Sequence, residues 1–493
     1  MVLGLCLYSY MEKKSPNNEI CLEKSHNPYY NESAAWKGGI FMLIKISVEN
    51  FKSFDQKEEL SMISSSKMQG NKNHRLQIKQ TKLLKNAVVY GANASGKSNL
   101  VTAFAFIKAT LMEGLPVVSV NDFCRNKEEN KNRESVFELQ FTVGDTFYAY
   151  GFSAILSQRK ITEEWLYELM QDGGAHQLFV REGDSAPILG ENVKLTATEK
   201  SRFNVYSEDF VGQESRLFLT EMNRGKKYDD KSKLLFFQEV FGWIMNNIIV
   251  ITPNMGISNT EAYYNDESLD NISRLIQTFD TGVTEIKTRK ITTEEMSKMI
   301  PVEVVQGIFN QLMTQMRVTG APGVQMTWRV EGGFFNIRID QGNSEPEITT
   351  LVLKHGKSAF DFNFVEESDG TKRLFDLIDM LLTDRPDTLF VVDELERSLH
   401  PKLTERFLKL FMEAHDGTRM QLVFTTHEDT IMDQILFRRD EIWFVERDAE
   451  NASNIYSLDR FKERYDKKLS KAYLEGRYGA IPVFKQFSFQ KGE

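Results

Sequence analysis

Cysteine is scarce in this 493-residue sequence, which contains only Cys6, Cys21 and Cys124. Their spacing fits neither the paired cysteines of a metal site nor a disulfide framework, and this excludes a disulfide-stabilised secreted scaffold. No apolar run reaches the roughly 18 residues that a membrane-spanning helix needs. No long heptad run, internal repeat or low-complexity tract is present, which excludes a long coiled-coil arm. We expect a cytoplasmic protein with no membrane partner.

Excess positive charge is also lacking, since 61 Lys and Arg oppose 70 Asp and Glu for a net charge of −9. The whole surface therefore has no general affinity for nucleic acid, although a local basic groove stays allowed. One basic stretch, 67–85, either meets phosphates or is a solvated loop. Its cationic residues are Lys67, Lys72, Arg75, Lys79, Lys82 and Lys85. Hydrophobic content of 41% and charged content of 27% are those of an ordinary globular protein.

The first 41 residues lack periodicity, whereas a clear strand pattern begins at Met42 with "MLIKISVENFKSF". Codons for Lys37-Gly38-Gly39 can form a purine-rich ribosome-binding site before that methionine. We therefore expect residues 1–41 to be a non-native or disordered extension, the alternative being a genuine disordered tail.

Further along, "NAVVYG", "DTLFVVDE" and "MQLVFTTH" are continuous apolar runs typical of strands buried on both faces of a parallel sheet. Alternating residues on both sides of Gly144-Asp145 predict a hairpin over 135–155. Helical spacing follows at 98–112 and in "SDGTKRLFDLIDMLL". The middle of the chain mixes helical and strand patterns without a motif.

The segment "GANASGKS", 91–98, matches G-x-x-x-x-G-K-[ST] between a predicted strand and a predicted helix. Glycines allow the tight turn, and backbone N–H groups at a helix N-terminus face phosphate. Lys97 is predicted to reach the β- and γ-phosphates of ATP, and Ser98 to ligate Mg²⁺. The predicted nucleotide-binding residues of the loop are Gly91, Asn93, Ala94, Ser95, Gly96, Lys97, Ser98 and Asn99.

Two acids end the strand "LFVVDE" and complement the phosphate-binding glycine loop. Asp393 is predicted to hold Mg²⁺ and Glu394 to polarise the attacking water. His427 ends the strand "VFTTH", where it can meet the γ-phosphate. These motifs lie far apart in the chain, so a large insertion must separate the halves of one nucleotide-binding fold.

Together with "ESDGTKR", these motifs resemble the ABC-type ATPase heads of the SMC and RecF class. The resemblance implies an α/β fold, in which a mixed sheet and a parallel P-loop sheet with helices are split by a mixed α+β insertion. It implies a signature, Ser368-Asp369-Gly370, that binds the nucleotide of a second subunit; the family's usual Ser-Gly-Gly is altered at Asp369. It also assigns Ser398 and His400 to an interface loop, Lys52 of "ENFKSF" to the nucleotide, and Gln140, weakly, to the metal.

The implied domains are an N-terminal lobe at 42–160, an insertion for a partner or trigger at 161–345, and a C-terminal lobe at 346–493. The blocks "DELERSLHP", "SDGTKRL" and "YLEGRYGAIP" resemble the AAA-fifteen/AAA-twenty-one group of ATPases. They are also similar to the antiphage ATPases of the RloA, AbiL and PARIS types. That resemblance implies a homodimer or higher homo-oligomer controlling a separately encoded effector, such as a TOPRIM or RloB-type nuclease, with a phage protein as trigger. The alternatives are a DNA-binding repair ATPase and a nucleotide-locked scaffold with slow turnover.

Overall fold

The computed structural model describes residues 6–14, 20–25, 41–66, 68, 70–253, 266–330, 333–343, 345–383, 385, 387–461 and 468–482. The chain divides into two compact units. The unit with the glycine loop, here the P-loop unit, comprises Gly38–Thr252, Asp384–Glu396 and Leu408–Glu493. The other, here the signature unit, comprises Met1–Lys37, Pro253–Thr383 and Arg397–Phe407.

The strands and helices follow in chain order. The first strands are β1 Cys6–Lys14, β2 Ile20–Ser25, β3 Phe41–Glu49, β4 Glu58–Ser61, β5 Arg75–Ile78, β6 Thr81–Leu84, β7 Asn86–Tyr90, β8 Ser135–Val143, β9 Thr146–Ile155, β10 Lys160–Leu169, β11 Ala175–Glu182 and β12 Ile188–Leu189. The later strands are β13 Ile248–Ile251, β14 Val283–Ile291, β15 Gly323–Val330, β16 Gly333–Asp340, β17 Glu347–His355, β18 Phe362–Asn363, β19 Leu389–Val392, β20 Gln421–Thr425, β21 Ile442–Arg447 and β22 Ser453–Ser457. The helices are α1 Lys97–Glu113, α2 Ala197–Asp209, α3 Phe218–Asn223, α4 Leu235–Gly242, α5 Asp266–Gln277, α6 Thr293–Met299, α7 Val302–Thr319, α8 Asp369–Leu382, α9 Pro401–Ala414 and α10 Leu469–Leu474.

A mostly parallel sheet carries the motifs of the P-loop unit, in the order β13-β19-β20-β7-β21-β22. The strands β13, β19, β20, β7 and β21 pair in parallel, and β22 pairs antiparallel with β21. The residues of β7, β19 and β20 are all buried, as their continuous apolar sequences predict. Because parallel strands end at one edge, the loops after β7, β19 and β20 come together there.

The second sheet of this unit is antiparallel, in the order β12-β11-β10-β9-β8-β3-β4. The predicted hairpin is confirmed, since Val143 pairs with Thr146 across the Gly144-Asp145 turn. Helix α1 packs against β13, β19 and β20 of the parallel sheet. Its Phe106 meets Phe137 of the antiparallel sheet with ring centroids 4.8 Å apart. One continuous apolar core therefore fixes α1, and with it the loop that precedes α1.

The boundaries of the compact units differ from the domain bounds expected from the sequence. Residues 161–252 of the expected insertion lie in the P-loop unit, whereas 253–345 lie in the signature unit. Burial explains the first assignment, because Phe179, Phe218 and Phe237 belong to the same apolar core as α1. The role of the 161–345 segment in partner binding remains a prediction.

The signature unit is built on the sheet β14-β17-β16-β15-β1-β2, with β18 added beside β17. Buried residues of α6, α7 and the sheet form a separate apolar core, among them Met296, Leu312 and Phe335. Strands β1 and β2 fall within residues 1–41, and β1 pairs antiparallel with β15. The start of the natural chain at Met42 remains a prediction.

The basic stretch 67–85 contains the β5–β6 hairpin, in which Lys79 and Lys82 are exposed, and Lys72 is exposed just before it. Lys85, by contrast, is buried, and its Nζ donates to the carbonyl of His415 at 2.7 Å. Lys67 lies outside the described residues. Lys85 therefore cannot contribute to a basic surface.

No helix among the described residues has the length and apolarity to cross a membrane.

Candidate functional site

The glycine loop turns from β7 into α1 as the motif predicts, and its two glycines have no room for a side chain. Gly96 caps the helix at φ 111°. A Cβ there would collide with the hydroxyls of Ser453 and Ser53. A Cβ on Gly91 would collide with the Val445 carbonyl and lie 2.6 Å from Ser95 Oγ. The loop is therefore shaped by close packing as well as by glycine's freedom at positive φ.

Serines behind the loop hold it in place. The Ser453 hydroxyl donates to the Ser95 carbonyl at 2.5 Å, and its oxygen lies 2.7 Å from Ser53 Oγ, whose hydroxyl can donate to it. Ser53 Oγ also accepts from the Asn99 side chain at 2.7 Å. Ser53 follows Lys52 in "ENFKSF" and Ser453 begins β22, so strands distant in sequence fix the loop. The motif itself contains no signal for Ser53 or Ser453.

Lys97 lies at the centre of the loop and is buried. Its Nζ donates to the carbonyls of Gly91 at 2.8 Å and Ala92 at 3.0 Å. Burial lowers the pKa of Lys97 to about 8, and nearby carboxylates oppose that fall. Asn93 and Ala94, at the tip of the loop, are exposed, with Ala94 at φ 61°. The amine is thus held within the loop at the N-terminus of α1, where anions are favoured.

Ser98 and Asp393 meet at the start of α1, although one follows β7 and the other follows β19. The Ser98 hydroxyl donates to Asp393 Oδ1 at 3.1 Å, and the Thr425 hydroxyl donates to the same oxygen at 2.7 Å. A hydroxyl and a carboxylate are oxygen ligands that Mg²⁺ accepts, with phosphates and waters completing an octahedron. No cluster of three or more His, Cys, Asp or Glu with metal-ligand geometry occurs in the described residues. The pair fits a magnesium ion bound together with a phosphate ligand.

Glu394 comes directly after the predicted metal ligand and is partly buried. Its backbone lies at φ 46°, a conformation that non-glycine residues rarely adopt. The Glu394 N–H donates to Thr425 Oγ1 at 2.8 Å. Thr425 therefore links both acids, a role that the strand "VFTTH" gave no reason to assign. Such a strained residue is a candidate for a functional position.

His427 lies beyond β20 on the same edge of the sheet. Its ring Nδ1 is 3.4 Å from Lys97 Nζ, and its N–H donates to Glu396 Oε1 at 2.6 Å. Desolvation, and then the positive charge of Lys97, lower the pKa of His427 below its ordinary value. The ring is therefore neutral at pH 7, when it can accept or donate one hydrogen bond.

A polar pocket of about 250 Å³ adjoins the loop. It is lined by Lys52, Ser53, Asn99, Asn121, Phe123, Arg125, Asn126, Arg447 and Asn451. Lys52 has φ 55°, and its Nζ contacts Asp122 Oδ1 at 2.5 Å. The structure thus places Lys52 beside the loop, as the resemblance implies. Arg125 and Arg447 were missed, because neither belongs to a motif.

The signature residues form the N-terminus of α8 in the other unit. Ser368 is the N-cap, and its Oγ accepts from the Thr371 N–H at 3.1 Å. Gly370 lies so close to Ser398 that an added Cβ would be 2.8 Å from the Ser398 carbonyl. The signature and the predicted interface loop are therefore neighbours within the signature unit.

His400 and Gln140 have local partners. Nδ1 of His400 accepts from the Lys402 N–H at 3.2 Å, which caps the start of α9. Gln140 lies within β8, and its amide donates to Glu138 at 3.0 Å. These contacts do not involve Ser98 or Asp393. The assignment of Gln140 to the metal stays a prediction that this placement does not support.

Residues 258–433 match a family model described as "AAA domain, putative AbiEii toxin, Type IV TA system". The matched range includes the signature, both acids and His427, and it leaves out the glycine loop. No curated protein sequence matches the chain.

Among solved structures, the SMC head bound to the C-winged helix domain of ScpA is similar, at 12% identity and a TM-score of 0.34, over 84% of this chain and 97% of that chain. The SMC head domain from Thermotoga maritima is similar at 13% identity and a TM-score of 0.30, over 84% and 98% respectively.

The motif sequences, their meeting at one sheet edge and the family match agree. Residues 258–433 are similar to this AAA family, and the described part of the chain has a mixed α/β fold whose parallel sheet positions the motif residues.

Proposed function

We propose that this chain binds and hydrolyses ATP with Mg²⁺. The observation that supports it best is one cluster at the carboxyl ends of β7, β19 and β20. There Lys97, the hydrogen-bonded pair Ser98–Asp393, Glu394 and His427 come together from distant parts of the chain. Phosphoryl transfer needs a phosphate cradle, a metal site and a group that orients water, and the cluster offers all three.

Binding of the triphosphate rests on the loop and on Lys97. Backbone N–H groups at the start of α1 would meet the β-phosphate, and the amine would meet the β- and γ-phosphates. Ser98 and Asp393 would hold Mg²⁺. When bound, the metal neutralises negative charge on the phosphate oxygens.

Hydrolysis would use Glu394 as the base that orients and polarises the attacking water. Its backbone at φ 46° and its N–H bond to Thr425 hold its main chain directly after Asp393. A neutral His427 would hydrogen-bond the γ-phosphate or the water.

The nucleoside end of ATP would enter the pocket beside the loop. Its volume of about 250 Å³ suits part of a nucleoside, and it offers the Phe123 ring, asparagine amides and the cations Lys52, Arg125 and Arg447.

Phosphate release from ATP by the purified chain tests the proposed activity. We expect turnover with Mg²⁺ and none once EDTA has removed the metal, because the Asp393 carboxylate without the metal ion repels the phosphate oxygens instead of neutralising them. Restoring excess Mg²⁺ should restore the rate, which serves as the control. Turnover that continues in EDTA would contradict the metal role, and absence of turnover in Mg²⁺ would contradict hydrolysis.

We further propose that ATP joins two copies, each signature meeting the nucleotide of the other copy. The N-terminus of α8, with its exposed Asp369, is the surface that supports this. In this proposal the chain regulates a separately encoded effector, such as a TOPRIM or RloB-type nuclease, in antiphage defence.

The defence role is tested by phage plating on cells that carry this chain with its neighbouring genes. We expect fewer plaques than with the same genes and a Lys97→Ala chain, because loss of nucleotide binding removes the switch. Equal plating on the two strains would contradict the role.

A further inference from the structure

Glu396 lies two residues beyond Glu394, and no motif assigns it a task. Its Oε1 accepts the His427 N–H at 2.6 Å. The Leu395 N–H donates to the Thr425 carbonyl at 3.1 Å, so the two chain segments stay paired beyond the ends of β19 and β20. The carboxylate therefore closes the turn from which the His427 side chain projects. Hydrogen bonds of this charged kind are about twice as strong as neutral ones.

The other oxygen of this carboxylate makes Glu396 unusual. Oε2 is buried, and no described residue makes a well-formed hydrogen bond to it, although the Thr426 hydroxyl is near enough to favour the charged form. Burial raises the pKa of Glu396. Glu396 is half-buried, and a buried carboxylate oxygen without a well-formed hydrogen bond costs stability, so a purely structural role explains it poorly.

The negative charge of Glu396 affects two groups close to the glycine loop. Among the acids that oppose the lowering of the Lys97 pKa, Glu396 has the largest effect, ahead of Asp393 and Glu394. The fully buried Tyr90 hydroxyl also has no described partner, and Glu396 is the leading charge acting on it. Tyr90 is the last residue of β7 before the glycine loop. Glu396 therefore bonds the His427 turn and lies near enough to Lys97 and Tyr90 to act on them electrostatically.

We propose that Glu396 is a positioning residue for ATP hydrolysis, which holds His427 against the reacting phosphate through the backbone of its turn. This rests on the proposed ATPase function. The bond fixes the main chain at His427. Misplacement of about 1 Å at a reacting group can cost about a hundredfold in rate.

Two substitutions separate the hydrogen bond from the charge. Glu396→Ala removes both, and we expect kcat to fall about 10- to 100-fold, with KM and the Kd for ATP within about threefold. Glu396→Gln keeps an oxygen that accepts the His427 N–H, and we expect it to recover most of kcat. Glu413→Ala removes an exposed acid of α9 and is the matched control with unchanged turnover. A double-mutant cycle with His427→Gln should be non-additive, because Glu396 acts through His427.

Amide hydrogen exchange at 425–428 gives a readout that needs no turnover. Glu396→Ala should speed exchange of the His427 amide, and Glu396→Gln should leave it protected. Unchanged kcat in Glu396→Ala, full additivity with His427→Gln, or an unchanged His427 amide would overturn the proposal. If the wild-type chain bound ATP without hydrolysing it, the ATPase function would fail, and the exchange experiment would still decide whether Glu396 fixes His427.

Discussion

The Glu394→Gln chain is expected to bind ATP as the wild type does. Its rate of ATP hydrolysis should fall by about 100-fold or more, because an amide cannot take a proton from water. The substitution is nearly isosteric, and the backbone bond from residue 394 to Thr425 does not involve the side chain. The ATP-bound form should therefore accumulate. If ATP joins two signatures to two loops, the molar mass measured by light scattering should double on adding Mg²⁺ and ATP.

Glu413→Gln is the matched control, since it makes the same chemical change on the exposed side of α9. It should turn over ATP as the wild type does. A Glu394→Gln chain that stays monomeric with bound ATP would count against head engagement. A large assembly that ATP does not change would show that the oligomer forms without nucleotide, and ATP would then act within it.

Lys97→Ala should weaken ATP binding by about 10- to 100-fold, since a hydrogen bond to a charged group contributes about 1.5–3 kcal/mol. The apparent melting temperature should change little, because burial already disfavours the charged amine, as its lowered pKa shows. Calorimetric titration with ATP measures the affinity, and thermal unfolding checks the fold.

Lys82→Ala is the control for loss of one positive charge, because Lys82 is exposed on β6. It should bind ATP like the wild type. Tight binding by Lys97→Ala would mean that the triphosphate lies somewhere other than the glycine loop.

Local sequence patterns predicted the strands and helices around the site well. The apolar run "NAVVYG" became β7, and the helix expected over 98–112 is Lys97–Glu113. The position of the unit boundary was not predictable in the same way. It depends on whether Phe218 and Phe237 pack on the core of α1, which is a contact between segments far apart in sequence.

The same contrast between local sequence patterns and contacts of distant segments applies to the residues of the candidate site. Lys97, Ser98 and Asp393 could be named as candidates because each motif carries its own spacing, and the structure brings Ser98 and Asp393 into contact. Thr425 and Ser453 were not, since their roles come from the strand order, which places β20 between β7 and β19 and places β22 near the loop. Lys85 shows the reverse error: it belongs to a basic stretch but is buried, and the distant carbonyl of His415 accepts a hydrogen bond from its Nζ.

The signature helix also bears on how this sequence can vary. Gly370 is confined by the Ser398 carbonyl, whereas Asp369 is exposed in the first turn of α8. An acid there stabilises the helix by about 0.3–1 kcal/mol through its dipole. The same acid occupies the positive end that would attract a phosphate from a second copy. Selection at position 369 therefore trades helix stability against anion affinity, while position 370 has no such freedom.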